Sequence, residues 1–278
     1  MLKVKKILAI TIACTLGLSA VGCGKDGKAG SDKEESKITI SGSTSVGAVM
    51  EPLVEEYTKA NNGVNIQVQQ VGSSAGIKDA IEGIAEIGMS SRDLKDKEKE
   101  AGLNQDEIAL DAIAVVTNNK NKVNNLTMKQ LKEIYTRKIN NWKEVGGEDA
   151  SIVVVSREDG SGTREGFESI LGYKSEELAA DALISDGSGN IKTTVAGSAN
   201  AIGYISLGYV DKDVKMLKID GVEPTRETVK SKKYPITRGF LALYKKDRLG
   251  SGGQKFMDYI MSEEGQKIVV KSGFVDVK

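Results

Sequence analysis

Three times along this chain a run of β-branched residues breaks into a Ser/Thr/Gly-rich turn and then into apolar residues at helical spacing. The segments are "ITISGSTSVGAVMEPL", "VQQVGSSAGIKDAI" and "VVVSREDGSGTREGF". A strand that runs into a helix cannot fold straight back as a hairpin. The helix carries the chain across the sheet, and the next strand comes in parallel. This feature narrows the fold to an α/β protein with mainly parallel pairing.

The rest of the chain follows the same alternation. "KITIS", "VNIQVQQV", "EIGMSS", "IALDAIAVVTN" and "SIVVVS" read as strands. The stretch after "SGST" places Val46, Val49, Met50, Leu53, Val54 and Tyr57 on one helical face and stops near Asn61-Asn62-Gly63. "AGIKDAIEGIA", "TMKQLKEIYT" and "SEELAADAL" read as further helices, and "GGQKFMDYIMSEEGQKIVVKSG" as one long last helix. There is no internal repeat.

The N-terminus carries a different signal. "MLKVKKILAITIACTLGLSAVGC" has a basic start, an apolar stretch from Ile7 to Leu18 that is short for a bilayer span, and small residues before Cys23. Residues 1–22 are expected to be a cleaved export signal, with Cys23 as the lipid-modified first residue of the mature chain. Residues 23–36 then form a polar tether, since "GKDGKAGSDKEES" offers no large apolar side chain to bury. A flexible segment of that length spans roughly 20 Å. Removal of the leader takes three lysines from 39 basic residues against 39 acidic ones, leaving a net charge of −3. Nothing in that balance points to nucleic acid as a partner.

Exclusions narrow the chemistry. The chain has no histidine, which removes Ser-His-Asp and Cys-His arrangements and most zinc sites. Its second cysteine, Cys14, lies within the expected leader, so the mature chain has no internal disulfide. Ser161 in "DGSGT" lacks nucleophile-elbow spacing, and neither Walker A nor calcium-loop spacing occurs. The expectation is a protein without catalysis, cofactor or metal.

Helix N-termini expose unpaired N–H groups and partial positive charge, so the three turns suit an anion. Each turn alone reads more readily as helix capping by Ser or Thr. Three in one α/β chain, one with Arg157, point to a shared oxyanion site at the carboxyl ends of the strands.

The ordered set "SGSTSV", "VGSSAGIKDAI", "IGMSSRDL", "REDGSGTREGF", "AIGYISLGYV" and "YPITRGFLALYKKD" resembles the phosphate-binding lipoproteins that feed the bacterial Pst phosphate transporter. The likeness runs from about Lys37 to the C-terminus. It implies a two-lobed type II periplasmic-binding-protein fold with two crossing hinge segments: lobe 1 from residues 37–112 and 236–278, lobe 2 from residues 113–235. It also implies a monomer held outside the cytoplasm by a lipid on Cys23, which captures inorganic phosphate and delivers it to ABC permease subunits with their ATPase.

By the same resemblance, Thr44, Ser45, Ser73, Ser91, Arg157, Ser161, Gly162 and Thr163 match the ligand contacts, and Asp159 matches a carboxylate that orients the arginine. Ser91 stands where the family's better-known pattern has an aspartate that accepts the proton of phosphate and rejects sulfate. A hydroxyl both donates and accepts, so sulfate or molybdate stays open as a ligand. So does a tethered sensor or adhesion protein on the same fold.

Overall fold

A computed structural model describes residues 36–278. The expected leader, Cys23 and the tether up to residue 35 lie outside the described residues, while Ser36 opens the first strand. In chain order the elements are β1 (Ser36–Gly42), α1 (Thr44–Ala60), β2 (Val64–Gln70), α2 (Ser73–Glu82), β3 (Ile87–Ser90), α3 (Asp96–Lys99) and β4 (Asn104–Asn118). The middle of the chain holds β5 (Asn125–Leu126), α4 (Met128–Tyr135), β6 (Val153–Arg157), α5 (Gly162–Leu171), β7 (Leu183–Ser185) and α6 (Gly187–Gly197). Then follow β8 (Ala201–Ser206), β9 (Val214–Met216), β10 (Lys218–Ile219), α7 (Arg226–Lys230), β11 (Thr237–Tyr244), α8 (Ser251–Ile260) and α9 (Glu263–Lys271).

The main sheet has the order β2-β1-β3-β11-β4-β8-β6-β7, with β9 added beside β4. The outer pairs β1–β2, β1–β3, β6–β8 and β6–β7 are parallel, each joined through helices. The central pairs are antiparallel: β11 with β3 and β4, and β4 with β8 and β9. The expectation of mainly parallel pairing therefore holds for the flanks and fails at the centre. There, β4 and β11 run through the molecule in opposite senses and serve both halves.

Two large apolar clusters sit along this sheet. One gathers Ile38, Ile40, Val49, Leu53, Ile108, Ala109, Phe240 and Phe256, and the other gathers Ala112, Ile113, Leu131, Val154, Phe167, Tyr204 and Ile236. The boundary between them falls inside β4 and at the entrance to β11. Burying each such side chain contributes about 1.5–3 kcal/mol, so each half holds itself together without a disulfide.

Two helix expectations are corrected. The final segment is two helices, because Ser262 accepts a hydrogen bond from the Gly265 N–H and caps α9, with Glu263 and Glu264 in its first turn. "SEELAADAL" forms only a 3-10 turn at Ser175–Glu177 before β7 begins at Leu183. Its Ala179 N–H bonds to the Tyr135 carbonyl instead of to its own helix, and it lacks the apolar stripe a helix would need.

Candidate functional site

Each of the three expected turns does lead into a helix, and a fourth joins them. Ser43 caps α1 by accepting from the Val46 N–H at 3.3 Å. Ser161 caps α5 by accepting from the Arg164 N–H at 3.3 Å. Gly72 precedes α2, and Asp186 precedes α6. Gly42 permits the first turn: at φ 144° its Cβ would lie 2.2 Å from the Met89 carbonyl oxygen, so only glycine lets α1 start against β3.

The first residues of these four helices meet. The Ser45 hydroxyl lies 2.8 Å from Thr163 Oγ1 and 3.1 Å from Ser188 Oγ, which ties α1 to α5 and α6. Ser43 Oγ donates to Ser91 Oγ at 2.9 Å, and Ser91 Oγ lies 3.3 Å from Ser73 Oγ at the start of α2. Gly162 closes the ring, since a Cβ there would fall 2.2 Å from Ser73 Oγ and 2.8 Å from Ser91 Oγ. These hydroxyl-bearing residues are buried, although buried polar groups are costly unless they have partners.

Arg157 is the last residue of β6 and is 1% exposed. Its Nη2 donates to Thr44 Oγ1 at 3.1 Å and its Nη1 to Ser188 Oγ at 3.1 Å, so the guanidinium reaches into the ring. The strand end is held from below: Tyr204 OH accepts from the Arg157 N–H at 3.3 Å, and the Tyr204 ring stacks on Phe167 at 4.0 Å. Glu158 grips the guanidinium by two bonds, from Nε at 2.7 Å and Nη2 at 2.6 Å, and also accepts from the Gly187 N–H. Partial burial alone would raise the Glu158 carboxyl, but the bonds and charge of Arg157 win and hold it below its ordinary range.

Thr44, Ser45, Ser73, Ser91, Arg157, Gly162 and Thr163 thus come together, with Ser161 behind them as the α5 cap. Asp159 does not orient Arg157. It sits in the exposed turn after β6 and accepts from Arg164 Nη1 at 2.9 Å, beside a cavity of about 550 Å³ that Ser74 and Lys95 also line. The adjacent Glu158 follows the strand end directly and reaches the guanidinium, which Asp159, turned outward, cannot.

Four residues at the ring were missed in the sequence. Ser188 had a readable signal, since "DGSGN" repeats the pattern of "DGSGT" after a short strand. Ser43 was also legible, as the residue before α1. Arg238 lies in "YPITRGFLALYKKD" and Asp111 in the apolar strand "IALDAIAVVTN", but nothing local pairs the two or places them at the ring. Arg238 donates from Nε and Nη2 to Asp111 Oδ2 at 2.9 and 2.7 Å, and from Nη1 to Thr163 Oγ1 at 2.8 Å and the Ser91 carbonyl at 3.2 Å. Complete burial dominates this pair, pushing the Asp111 carboxyl up and the Arg238 guanidinium down, while their mutual attraction opposes both shifts.

A buried ring of hydroxyls from four helix starts, with the Arg157 guanidinium reaching into it and Arg238 behind it, defines an anion receptor. No group of three or more potential metal ligands occurs among the described residues. Residues 27–264 match the model of the PBP superfamily domain. Over 99% of this chain and 95% of its relative, the sequence is 32% identical to a phosphate-binding protein of Bacillus subtilis. It is 31% identical to one of Borreliella burgdorferi, over 88% of this chain and 91% of that protein. A solved Clostridium perfringens substrate-binding protein with bound phosphate, assigned to a phosphate ABC transporter, shares 57% identity at a TM-score of 0.86, covering 87% of this chain and all of that one. The chain belongs to the PBP superfamily and, within it, to the family of PstS phosphate-binding proteins.

Proposed function

We propose that this chain is an extracytoplasmic receptor that captures inorganic phosphate between two lobes and delivers it to an ABC permease. The observation that carries the reading is Arg157, buried and aimed with Glu158 behind it into hydroxyls from four helix starts. A dehydrated tetrahedral oxyanion needs many short donors, and each hydrogen bond to a charged group contributes about 1.5–3 kcal/mol. Thr44, Ser45, Ser73, Ser91, Ser161, Gly162, Thr163 and Ser188 supply hydroxyl or backbone donors, and Arg157 supplies the positive charge.

In this reading residues 37–112 with 236–278 form one lobe and residues 113–235 the other, and closure brings Thr44 and Ser45 against Arg157, Thr163 and Ser188. The crossing strands act as the hinge. The protein works as a monomer without catalysis or cofactor, and energy for import comes from the permease's ATPase. Relatives named as phosphate-binding proteins and the phosphate-bound Clostridium perfringens structure support the ligand. A lipid on Cys23 holds the receptor at the membrane. No described helix is long and apolar enough to cross one.

A second ligand, sulfate, is favoured by Ser91, whose neutral hydroxyl accepts from Ser43 where a carboxylate would repel a fully ionised anion. Thermal melts against phosphate, arsenate, sulfate and molybdate test both readings. A ligand at a hundred times its dissociation constant raises stability by about 2.7 kcal/mol. Stabilisation by phosphate is expected, with a smaller effect of sulfate. A protein indifferent to all four is no oxyanion receptor. Cys23→Ser should move the protein from membrane to soluble fractions with phosphate binding unchanged.

A further inference from the structure

Arg238 stands at the start of β11, one of the two strands shared by both halves of the molecule, and its guanidinium has donors on two sides. On one side it forms a fork on Asp111 of β4. On the other, Nη1 donates to Thr163 Oγ1 at 2.8 Å and to the Ser91 carbonyl at 3.2 Å. Arg238 is therefore anchored by one shared strand to the other and touches two residues of the ring from behind.

The consequence lies in the chemistry of a hydroxyl. Threonine has one proton to donate and two lone pairs that accept. A lone pair of Thr163 Oγ1 is taken by a cationic N–H, so its proton must turn away from Arg238. Ser45 Oγ lies 2.8 Å from Thr163 Oγ1, across the ring, within reach of that proton. A charged donor also polarises the hydroxyl and strengthens the bond it makes next. Ser188 and Thr44 likewise accept from Arg157, and Ser73 accepts from the Ser91 N–H, whereas Thr163 is held by a guanidinium that approaches the ring from behind.

We infer that Arg238 is a positioning residue that fixes Thr163 as an obligate hydrogen-bond donor into the oxyanion site, without itself touching the ligand. This rests on the reading of the ring as a phosphate site. Asp111 keeps Arg238 in register, and it also accepts from the Leu207 N–H at 3.0 Å, so the same pair braces the segment whose Tyr209 OH donates to the Thr44 carbonyl.

The test is a mutant cycle on the full-length protein, read by calorimetry with inorganic phosphate. Arg238→Lys keeps a charge beside Asp111 but cannot present the fork and the third donor together. We expect it to weaken phosphate binding about fivefold to tenfold when residue 163 carries a hydroxyl, as in the unaltered protein and in Thr163→Ser. In the Thr163→Val background the same change should cost less than twofold. Equal losses in the two backgrounds, or no loss in either, overturn the inference and leave Arg238 a structural residue. Should Arg238→Lys fail to fold, Asp111→Asn with Arg238→Met removes both charges together, and the same dependence on the residue 163 hydroxyl is expected. Titration of the unaltered protein separates the two claims: if it binds phosphate and the cycle is additive, only the role of Arg238 falls. If it takes up no phosphate, the receptor reading falls, and this one with it.

Discussion

Replacement of Arg157 by alanine removes the one guanidinium that reaches into the ring from the strand end, and it strands the carboxylate that held it. Glu158 accepts two bonds from Arg157 at 2.7 and 2.6 Å, so together they form a neutral pair. In Arg157→Ala the anion loses its charged donor and gains an unpaired carboxylate as a neighbour. Two like charges about 6 Å apart at an effective dielectric of about 20 repel by roughly 3 kcal/mol. Breaking one member out of a buried pair costs about 3–5 kcal/mol in comparable settings. Phosphate affinity should fall by roughly a hundredfold to a few thousandfold. Calorimetry on Arg157→Ala and on Arg157→Ala/Glu158→Gln separates the two contributions, because the double variant lacks the repulsion and should recover at least tenfold. A loss below threefold, or a double variant no better than the single, would refute the assignment of this pair to the site.

Three further outcomes follow from particular contacts. Glu165 on α5 meets Arg92 Nε at 3.0 Å and Lys95 at 2.5 Å and accepts from Ser74 Oγ at 2.9 Å, bonds that join the two halves beside the ring. Arg92 keeps Glu98 when Glu165 is neutralised, so Glu165→Gln should weaken closure by about 1–2 kcal/mol and speed phosphate release in stopped flow, with the melting temperature nearly unchanged. Gly162→Ala would put a Cβ 2.2 Å from Ser73 Oγ, so it should cost about 1–3 kcal/mol of stability and remove phosphate-induced stabilisation in melts. Glu158 is held below its usual value of 4.5, so its contribution to stability is complete above that pH and is lost as pH falls through the lowered value. Acid melts should therefore show Glu158→Gln losing less stability than the unaltered protein below about pH 4.5; parallel curves would remove Glu158 from the acid response.

Local chemistry explains what could be read from residues alone. Strand–turn–helix order, the caps at Ser43 and Ser161 and the apolar face of α1 depend on neighbours within a few positions, and these were legible. So was the suitability of Arg157 and the Ser/Thr/Gly turns for an anion. Ser188 repeats a motif already in view and was legible in principle. The choice of Glu158 over Asp159 was not, because both follow the same arginine and only the direction of the turn after β6 decides which carboxylate it meets. The antiparallel centre of the sheet and the failure of "SEELAADAL" to form a helix were likewise decided by contacts with distant chain, whereas the split of the last helix at Ser262 rests on a local cap that the sequence reading passed over. Arg238 and Asp111 are the clearest case. They lie 127 positions apart, and nothing near either residue marks it as the other's partner. Sequence determined which segments can offer donors to an anion. Only the tertiary structure, by crossing β4 and β11 and burying an ion pair between them, decided which side chains stand behind those donors and hold them in place.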